Sequence, residues 1–211
     1  MAKVKCQISV SADGFVAGPN PSEEQPLGEG GEQLHEWVVK LAAWRGPHGL
    51  EGGEVNESTP IMEDGLAATG AVVMGRNMFG GGPGPWGDDP WQGWWGDEPP
   101  FRIPVFVLTH HAREPLELGE TTVHFVTEGP ERAVELAREA AEGKDVSVGG
   151  GAQTVQQCLR GGLLDELLLN QVPLLLGAGT RLLEDVGGVE LEQTRVVEAP
   201  GVAHLFYAVT P

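Results

Sequence analysis

Residues 145–154 read DVSVGGGAQT, and this stretch decides the predicted fold. The run at 146–148 is typical of a short buried strand, and three glycines follow it directly. A helical pattern begins immediately afterwards, at Ala152. Glycine allows a ligand to approach the backbone, and a helix N-terminus offers free N–H groups, so an anion could be bound at a junction of this kind.

The same kind of junction occurs at residues 71–76, where the apolar run AVVM is followed by Gly75 and Arg76. Because the carboxyl ends of parallel strands meet at one edge of a sheet, two such junctions predict a cleft suited to a diphosphate. The alternative is that the glycines only permit tight turns. A single junction favours that alternative, whereas the pair leaves both interpretations open.

Strand and helix patterns alternate up to residue 172, which predicts a parallel sheet with helices on both faces. Two later runs flank Pro200-Gly201 and predict a C-terminal antiparallel hairpin. Composition shows no break, so we predict a single domain over residues 1–211. The predicted strands are 3–10, 71–74, 104–109, 123–127, 146–148, 164–172, 195–198 and 202–209, and the predicted helices are 33–45, 60–69, 130–142 and 152–159.

Residues 80–101, the Gly/Trp segment, read GGGPGPWGDDPWQGWWGDEPPF and fit no helix or strand pattern. The segment holds four of the six tryptophans, and clustered aromatic side chains need a surface to pack against. Three interpretations stay open: a cover over the substrate side of the cleft, a dimer contact, or a packed loop.

Charge excludes several classes of partner. The chain has 13 Lys and Arg residues against 31 Asp and Glu residues, a formal net charge of −18. Because nucleic acids and anionic membranes are bound by cationic faces, we expect neither as a partner. No apolar run is long enough to span a bilayer and no signal-peptide core is present, so we expect a cytoplasmic protein.

The remaining polar residues suggest no metal site. Cys6 and Cys158 have no partners at ligand spacing, and His110-His111 are adjacent rather than one helical turn apart. Two cysteines are also too few for a disulfide framework, so we expect reduced, buried thiols.

Arg76, His110 and Arg113 place cationic side chains near the predicted strand ends, where a 2′-phosphate would be recognised. The alternative for a lone surface arginine is solubility alone. Asp13 and Glu36 are weak candidates for a catalytic acid, and either could instead be a cap or a solvated face residue.

Taken in order, these segments resemble the dihydrofolate-reductase-like superfamily, and within it the RibD C-terminal reductase domain of riboflavin biosynthesis. The resemblance spans nearly the whole chain. The segments that carry it are ISVSADGFVAGPN (8–20), TGAVVMGRNMF (69–79), VFVLTHHARE (105–114), DVSVGGGAQTVQQCLRGGLLDELLLNQVPLLLGAGTRLLE (145–184) and GVAHLFY (201–207).

The resemblance implies an α/β fold with an eight-stranded, mostly parallel sheet, NADPH bound across the strand ends, and a homodimer. Hydride would pass from the nicotinamide C4 to a small heterocyclic or carbonyl substrate. The implied cofactor-binding residues are Ala17 and Gly18 near the nicotinamide; Gly75, Arg76 and Asn77 near the diphosphate and ribose; Leu108, Thr109, His110 and Arg113 near the 2′-phosphate; and Gly149, Gly150, Gly151, Ala152, Gln153 and Thr154 around the diphosphate.

Two departures concern the substrate side. Phe15 stands where the riboflavin reductases usually have a lysine, and Gly149 stands where they tend to have an acid. We therefore expect a more apolar substrate pocket and weak turnover of a phosphorylated ribosyl-aminopyrimidine. The alternative functions are a pterin or dihydrofolate reductase, with Glu36 near the pterin-binding acid of those enzymes, and a cofactor-binding protein without turnover.

Overall fold

The computed structural model describes residues 2–22, 24–88 and 90–210. Among these residues, no helix combines the length and the apolar character that crossing a membrane requires. The strands are β1 (Val4–Ser11), β2 (Phe15–Ala17), β3 (Thr69–Gly75), β4 (Val105–Leu108), β5 (Leu116–Leu118), β6 (Thr121–Val126), β7 (Asp145–Gly150), β8 (Glu166–Val172), β9 (Thr180–Arg181), β10 (Glu190–Ala199) and β11 (Val202–Thr210). The helices are α1 (Glu36–Val39), α2 (Ala42–Arg45), α3 (Ser58–Ala68), α4 (Arg76–Phe79), α5 (Pro130–Ala140) and α6 (Ala152–Arg160), with 3-10 turns at Gly31–His35 and Gly46–His48.

Nine strands form one sheet in the order β10-β11-β8-β1-β7-β3-β4-β6-β5. Parallel pairing joins β1 to β7, β7 to β3, β3 to β4 and β4 to β6, and β10 with β11 forms an antiparallel hairpin. The predicted fold class, α/β with a mostly parallel sheet and a C-terminal hairpin, is confirmed. The ninth strand is β5, which sequence analysis missed because only three residues pair antiparallel with β6.

The chain divides into two compact units. The first comprises the residues up to Cys6 together with Thr69–Asp165, and the second comprises Gln7–Ala68 together with the residues from Glu166 onward. The first boundary therefore falls inside β1. That residues 1–211 form a single domain stays a prediction.

In the first unit, β3 and β4 are apolar because both of their faces are covered. Cys6 on β1 and Cys158 on α6 are buried and free, as predicted. Burial raises the pKa of the Cys158 thiol to about 12 and raises that of Cys6 as well, so both thiols stay protonated at neutral pH.

The second unit shows why the helix predicted over residues 33–45 is wrong. A 3-10 turn precedes α1, and Leu41 then adopts an extended conformation, with φ −72° and ψ 138°, before α2 begins. Around Leu41 the backbone pairs with Glu54: the Glu54 N–H donates to the Lys40 carbonyl at 2.8 Å, and the Ala42 N–H donates to the Glu54 carbonyl at 2.9 Å. This pairing replaces helical hydrogen bonds and interrupts the apolar stripe at helical spacing, which comprises Leu34, Trp37, Leu41 and Trp44.

Other element boundaries also differ from the predictions. Helix α3 begins at Ser58 rather than at residue 60, because the Asn56 side chain accepts a hydrogen bond from the Ser58 N–H at 2.9 Å. Strand β10 begins at Glu190 rather than at Arg195. The prediction missed its first five residues because they are exposed and mostly polar and do not alternate. The described residues of the Gly/Trp segment, 80–88 and 90–101, contain no helix or strand, as predicted.

A buried polar network lies in the second unit. His204 is fully buried, with its Nε2 2.8 Å from the Ser58 hydroxyl and its Nδ1 2.7 Å from the Asn170 side-chain oxygen. The ring of Trp37 lies edge-on to it at 5.1 Å. Burial, together with the positive charge of Arg195, lowers the pKa of His204 to about 4, so the ring is neutral at pH 7.

We expect this histidine to make stability pH-dependent. Its pKa is about 4 in the folded state and about 6.5 when unfolded, so protonation favours the unfolded chain as the pH falls below about 6.5. The full loss, reached below pH 4, is on the order of 3 kcal/mol. Urea unfolding of the wild type and His204→Gln at pH 7.5 and pH 5 would measure it. An equal pH-dependent loss in both proteins would contradict this role of His204.

Candidate cofactor-binding site

The ends of β3, β4 and β7 lie side by side in the first unit. Gly75 at the end of β3 is opposite Leu108 at the end of β4, and Met74 is opposite Gly150 at the end of β7. These strands are parallel neighbours, so the two strand–glycine–helix junctions meet at one edge of the sheet. Sequence analysis predicted this juxtaposition.

The first junction packs directly against the second. A Cβ atom on Gly75 would overlap the hydroxyl oxygen of Thr154, the third residue of α6. Thr154 is buried, and its backbone N–H donates to the Gly151 carbonyl at 3.0 Å. Glycine at position 75 therefore allows the end of β3 to contact the first turn of α6.

The second junction leaves room for a ligand. Gly151 is the N-cap of the nine-residue helix α6, no side chain caps that helix, and a Cβ on Gly151 would meet nothing within 4 Å. Gly150 has φ 121°, a backbone conformation that other residues rarely adopt. At the other side, a Cβ on Gly149 would touch Met78 at 3.2 Å. The first N–H groups of α6 and the positive end of its dipole suit an anionic ligand.

Arg76 begins α4 directly after β3, and its guanidinium turns toward the Gly/Trp segment. Nε donates to the Gly80 carbonyl at 3.0 Å, Nη2 donates to the Gly81 carbonyl at 3.0 Å, and Nη1 donates to the Thr109 hydroxyl at 3.4 Å. The indole of Trp86 lies over the guanidinium, with 3.1 Å between the central carbon and the ring centroid.

Arg113 lies beside the same indole. Its guanidinium carbon is 5.0 Å from the ring centroids of both Trp86 and Phe125, and Nη1 donates to the Trp91 carbonyl. Burial lowers the pKa of both arginines, and the nearby Arg113 charge lowers that of Arg76 further. Among residues 2–22, 24–88 and 90–210, no carboxylate forms an ion pair with either guanidinium.

The other residues predicted for this edge differ in their exposure to solvent. Thr109 is buried and links Arg76 to the His111 N–H, which donates to the Thr109 hydroxyl at 3.2 Å. Asn77 and His110 are exposed, as is Gln153, whereas Leu108 is half-buried and Ala152 is buried.

The substrate-side and nicotinamide-side residues belong to the second unit. Phe15 and Gly18 are buried, and Ala17 is partly exposed. The Gly18 N–H donates to the Leu27 carbonyl at 2.8 Å, which fixes this backbone tightly. The Arg181 guanidinium lies 4.4 Å from the Phe15 ring centroid. A cation therefore accompanies Phe15, which sequence analysis did not expect.

A family model, the RibD C-terminal domain, matches residues 2–204. This chain belongs to the RibD C-terminal domain family. Reductases of this family use a nicotinamide cofactor, and the family assignment supports the prediction that the chain is an oxidoreductase. A search of curated protein sequences found no match.

Solved structures of proteins named for riboflavin biosynthesis or pyrimidine reduction share the fold. One is named as a riboflavin biosynthesis protein and comes from Shewanella sp. PV-4; it has 18% identity and a TM-score of 0.63, and the match covers 99% of both chains. A pyrimidine reductase-like protein from Corynebacterium diphtheriae has 14% identity and a TM-score of 0.55, and the match covers all of this chain and 92% of the other. The riboflavin biosynthesis reductase of Saccharomyces cerevisiae has 14% identity and a TM-score of 0.55, with coverage of 100% and 89%.

Within this RibD-type fold, the two candidate acids have structural partners. The Asp13 carboxylate accepts hydrogen bonds from the Ser11 hydroxyl at 2.6 Å and from the N–H groups of Leu176 at 3.1 Å and Gly177 at 2.7 Å. These bonds, first of all that from Ser11, lower the pKa of Asp13, so it stays ionised and anchors a loop. Glu36 is exposed, and its carboxylate lies 3.9 Å from the Lys40 ammonium.

Sequence analysis missed His35, which the structure marks as unusual. Its Nδ1 is buried and is the one side-chain nitrogen or oxygen atom among the described residues that is buried without a hydrogen-bond partner. Desolvation lowers the pKa of this ring, so it is neutral at pH 7. His35 ends a 3-10 turn that packs beside β2, the strand that carries Phe15. Only its place two residues before the buried Trp37 could have drawn attention to it.

An open cavity of about 620 Å³ lies elsewhere in the first unit, between β4, β6 and α5. Phe106 and His124 stack in its wall with 4.9 Å between ring centroids. Of the residues predicted to bind the cofactor, only Arg113 lines it. Gly75, Leu108 and Gly150, which were also predicted to bind the cofactor, lie instead at the carboxyl ends of β3, β4 and β7.

The contact between the two junctions gives a stability prediction. We expect Gly75→Ala to lower the free energy of unfolding by about 1–3 kcal/mol, because the new methyl group overlaps the Thr154 hydroxyl. The double variant Gly75→Ala/Thr154→Ala removes that oxygen and should recover much of the loss. Denaturant unfolding of both variants and of Thr154→Ala completes the cycle. Strictly additive losses would show that the two residues do not interact.

Proposed function

We propose that this chain is an NADPH-dependent reductase that delivers a hydride to a small heterocyclic or carbonyl substrate. One observation carries the proposal: two strand–glycine–helix junctions meet at one sheet edge, beside two arginines that have no carboxylate partner among the described residues. NADPH carries a diphosphate, which suits the two junctions, and a separate 2′-phosphate, which suits the two arginines.

The residues present fit such a cofactor. Gly151 leaves space at the N-terminus of α6 for a diphosphate, and the guanidiniums of Arg76 and Arg113 suit a phosphate monoester. Hydrogen bonds to charged groups contribute about 1.5–3 kcal/mol each, which can offset repulsion from a protein of net charge −18. When bound, the nicotinamide would supply the hydride from its C4 atom.

For the substrate we propose the small heterocyclic or carbonyl class. The names of the two similar structures, a pyrimidine reductase-like protein from Corynebacterium diphtheriae and a yeast riboflavin biosynthesis reductase, support a heterocycle. Phe15 supplies an apolar wall, and Arg181 over its ring adds a positive charge. This charge argues against a wholly apolar pocket, so a phosphorylated pyrimidine belongs in the test set.

We also propose that the enzyme is a homodimer, as the family resemblance implies, and that it is cytoplasmic. The edge strand β10 is exposed along most of its length and leaves Leu191 and Val196 at the surface, which supports a second copy as its partner. Light scattering behind size-exclusion chromatography distinguishes a dimer from a monomer.

A pterin or dihydrofolate reductase is less well supported, because such an enzyme needs a pocket acid free to pair with the pterin ring. Asp13 already accepts three hydrogen bonds, and Glu36 is exposed beside Lys40. The decisive experiment is NADPH oxidation with purified protein and a panel of carbonyls, imines, dihydrofolate and the phosphorylated ribosyl-aminopyrimidine. NADPH binding without oxidation by any of them would favour a binding protein.

A charge placed at Gly151 tests the diphosphate site without disturbing the fold. Asp and Asn are both good N-cap residues, and the structure leaves space for a side chain at position 151. The free energy of unfolding of both variants should therefore lie within about 1 kcal/mol of the wild-type value. We expect Gly151→Asp to weaken NADPH binding at least about tenfold more than Gly151→Asn, because only Asp repels a diphosphate.

Calorimetric titration of NADPH into both variants measures the difference, and Gly151→Asn serves as the control for side-chain bulk. Equal affinity in the Asp and Asn variants would show that the diphosphate does not bind at this helix N-terminus.

A further inference from the structure

Trp86 is the centre of a cluster that sequence analysis did not resolve. Its ring lies 3.1 Å from the guanidinium carbon of Arg76 and 5.0 Å from that of Arg113. Its indole N–H donates to the His111 carbonyl at 2.8 Å. One aromatic side chain thus contacts both arginines and the backbone between β4 and β5.

The ring itself is held firmly in place. Phe79 and Phe125 meet Trp86 edge-on, with 5.9 and 5.0 Å between ring centroids. Gly80 and Gly81, whose carbonyls accept from Arg76, have φ 91° and 82°, and a Cβ on either would collide with neighbouring indoles. The start of the Gly/Trp segment is therefore built closely around the Arg76 guanidinium.

Holding two guanidiniums together is unfavourable without a counter-charge. The Arg113 charge lowers the pKa of Arg76, and in the described part of the chain no carboxylate lies within ion-pair distance of either group. The indole face and the backbone carbonyls partly offset the repulsion through cation–π and hydrogen-bond contacts. The guanidiniums of Arg76 and Arg113 therefore form a fixed pair of positive charges in a protein of net charge −18.

The unused N–H groups of these two guanidiniums are suited to bind a dianion. A guanidinium has five N–H donors in one plane; among the described residues, Arg76 uses three of them and Arg113 uses one. Trp86 covers one face of the Arg76 guanidinium, and the unused donors lie along the edges of that plane. Edge-on N–H pairs are the geometry in which arginine binds phosphate.

We propose that Trp86 is a positioning residue that orients Arg76 and Arg113 toward the 2′-phosphate of the cofactor, and so sets the preference for NADPH over NADH. The inference rests on the proposed function. It assigns a role to the Gly/Trp segment that differs from a substrate cover, because the segment acts through the two arginines.

The test compares cofactor discrimination across three variants. Trp86→Leu removes the aromatic face, Trp86→Phe keeps a smaller one, and Trp95→Leu is the matched control. Trp95 belongs to the same segment and packs on Phe101 at 4.8 Å, but no arginine in the described part of the chain stacks on it. Dissociation constants are measured for NADPH and NADH, and for 2′,5′-ADP and 5′-AMP as fragments that lack the nicotinamide.

We expect Trp86→Leu to weaken NADPH and 2′,5′-ADP binding about tenfold while changing NADH and 5′-AMP binding less than about twofold. Trp86→Phe should recover part of the discrimination, and Trp95→Leu should leave the NADPH/NADH ratio unchanged. If Trp86 had a purely structural role, Trp86→Leu would weaken the binding of NADPH and NADH by the same factor, and that result would overturn the inference. A wild type that binds NADPH and NADH equally would instead contradict the proposed 2′-phosphate site itself.

Discussion

The close contact between Gly75 and Thr154 is the constraint on which the candidate site depends. Because no side chain fits at position 75, the end of β3 reaches the first turn of α6. That contact brings the two strand–glycine–helix junctions together and leaves Gly151 with open space in front of it. Arg76 follows Gly75 directly, so the same constraint places a cation at this edge.

The Gly/Trp segment shows how an irregular stretch can be ordered without a helix or strand. Trp86, Trp91 and Trp95 pack against apolar side chains of the first unit. The indole N–H of Trp86 donates to the His111 carbonyl, and that of Trp91 donates to the Phe79 carbonyl. This favours the packed-loop interpretation within one chain. The arginines contribute to that packing, so solubility alone does not account for them.

The sequence was sufficient for the fold class and for the juxtaposition of the junctions, because buried parallel strands and their terminal glycines leave local signatures. Interactions distant in sequence could not be predicted in this way. The Leu41–Glu54 pairing broke an apolar stripe that looked continuous, and β5 was too short to show a period. The Arg181–Phe15 contact joins residues far apart in sequence, and no motif marked it.

The two buried thiols provide a native measure of how often the first unit opens. Cys6 on β1 and Cys158 on α6 are enclosed and protonated, so a water-soluble thiol reagent reacts only after local or global opening. Their reaction rates therefore report the opening free energy of the strand and of the helix whose N-terminus faces the proposed diphosphate site. A ligand bound there would slow the reaction of Cys158, so protection of this native thiol reports occupancy of the site.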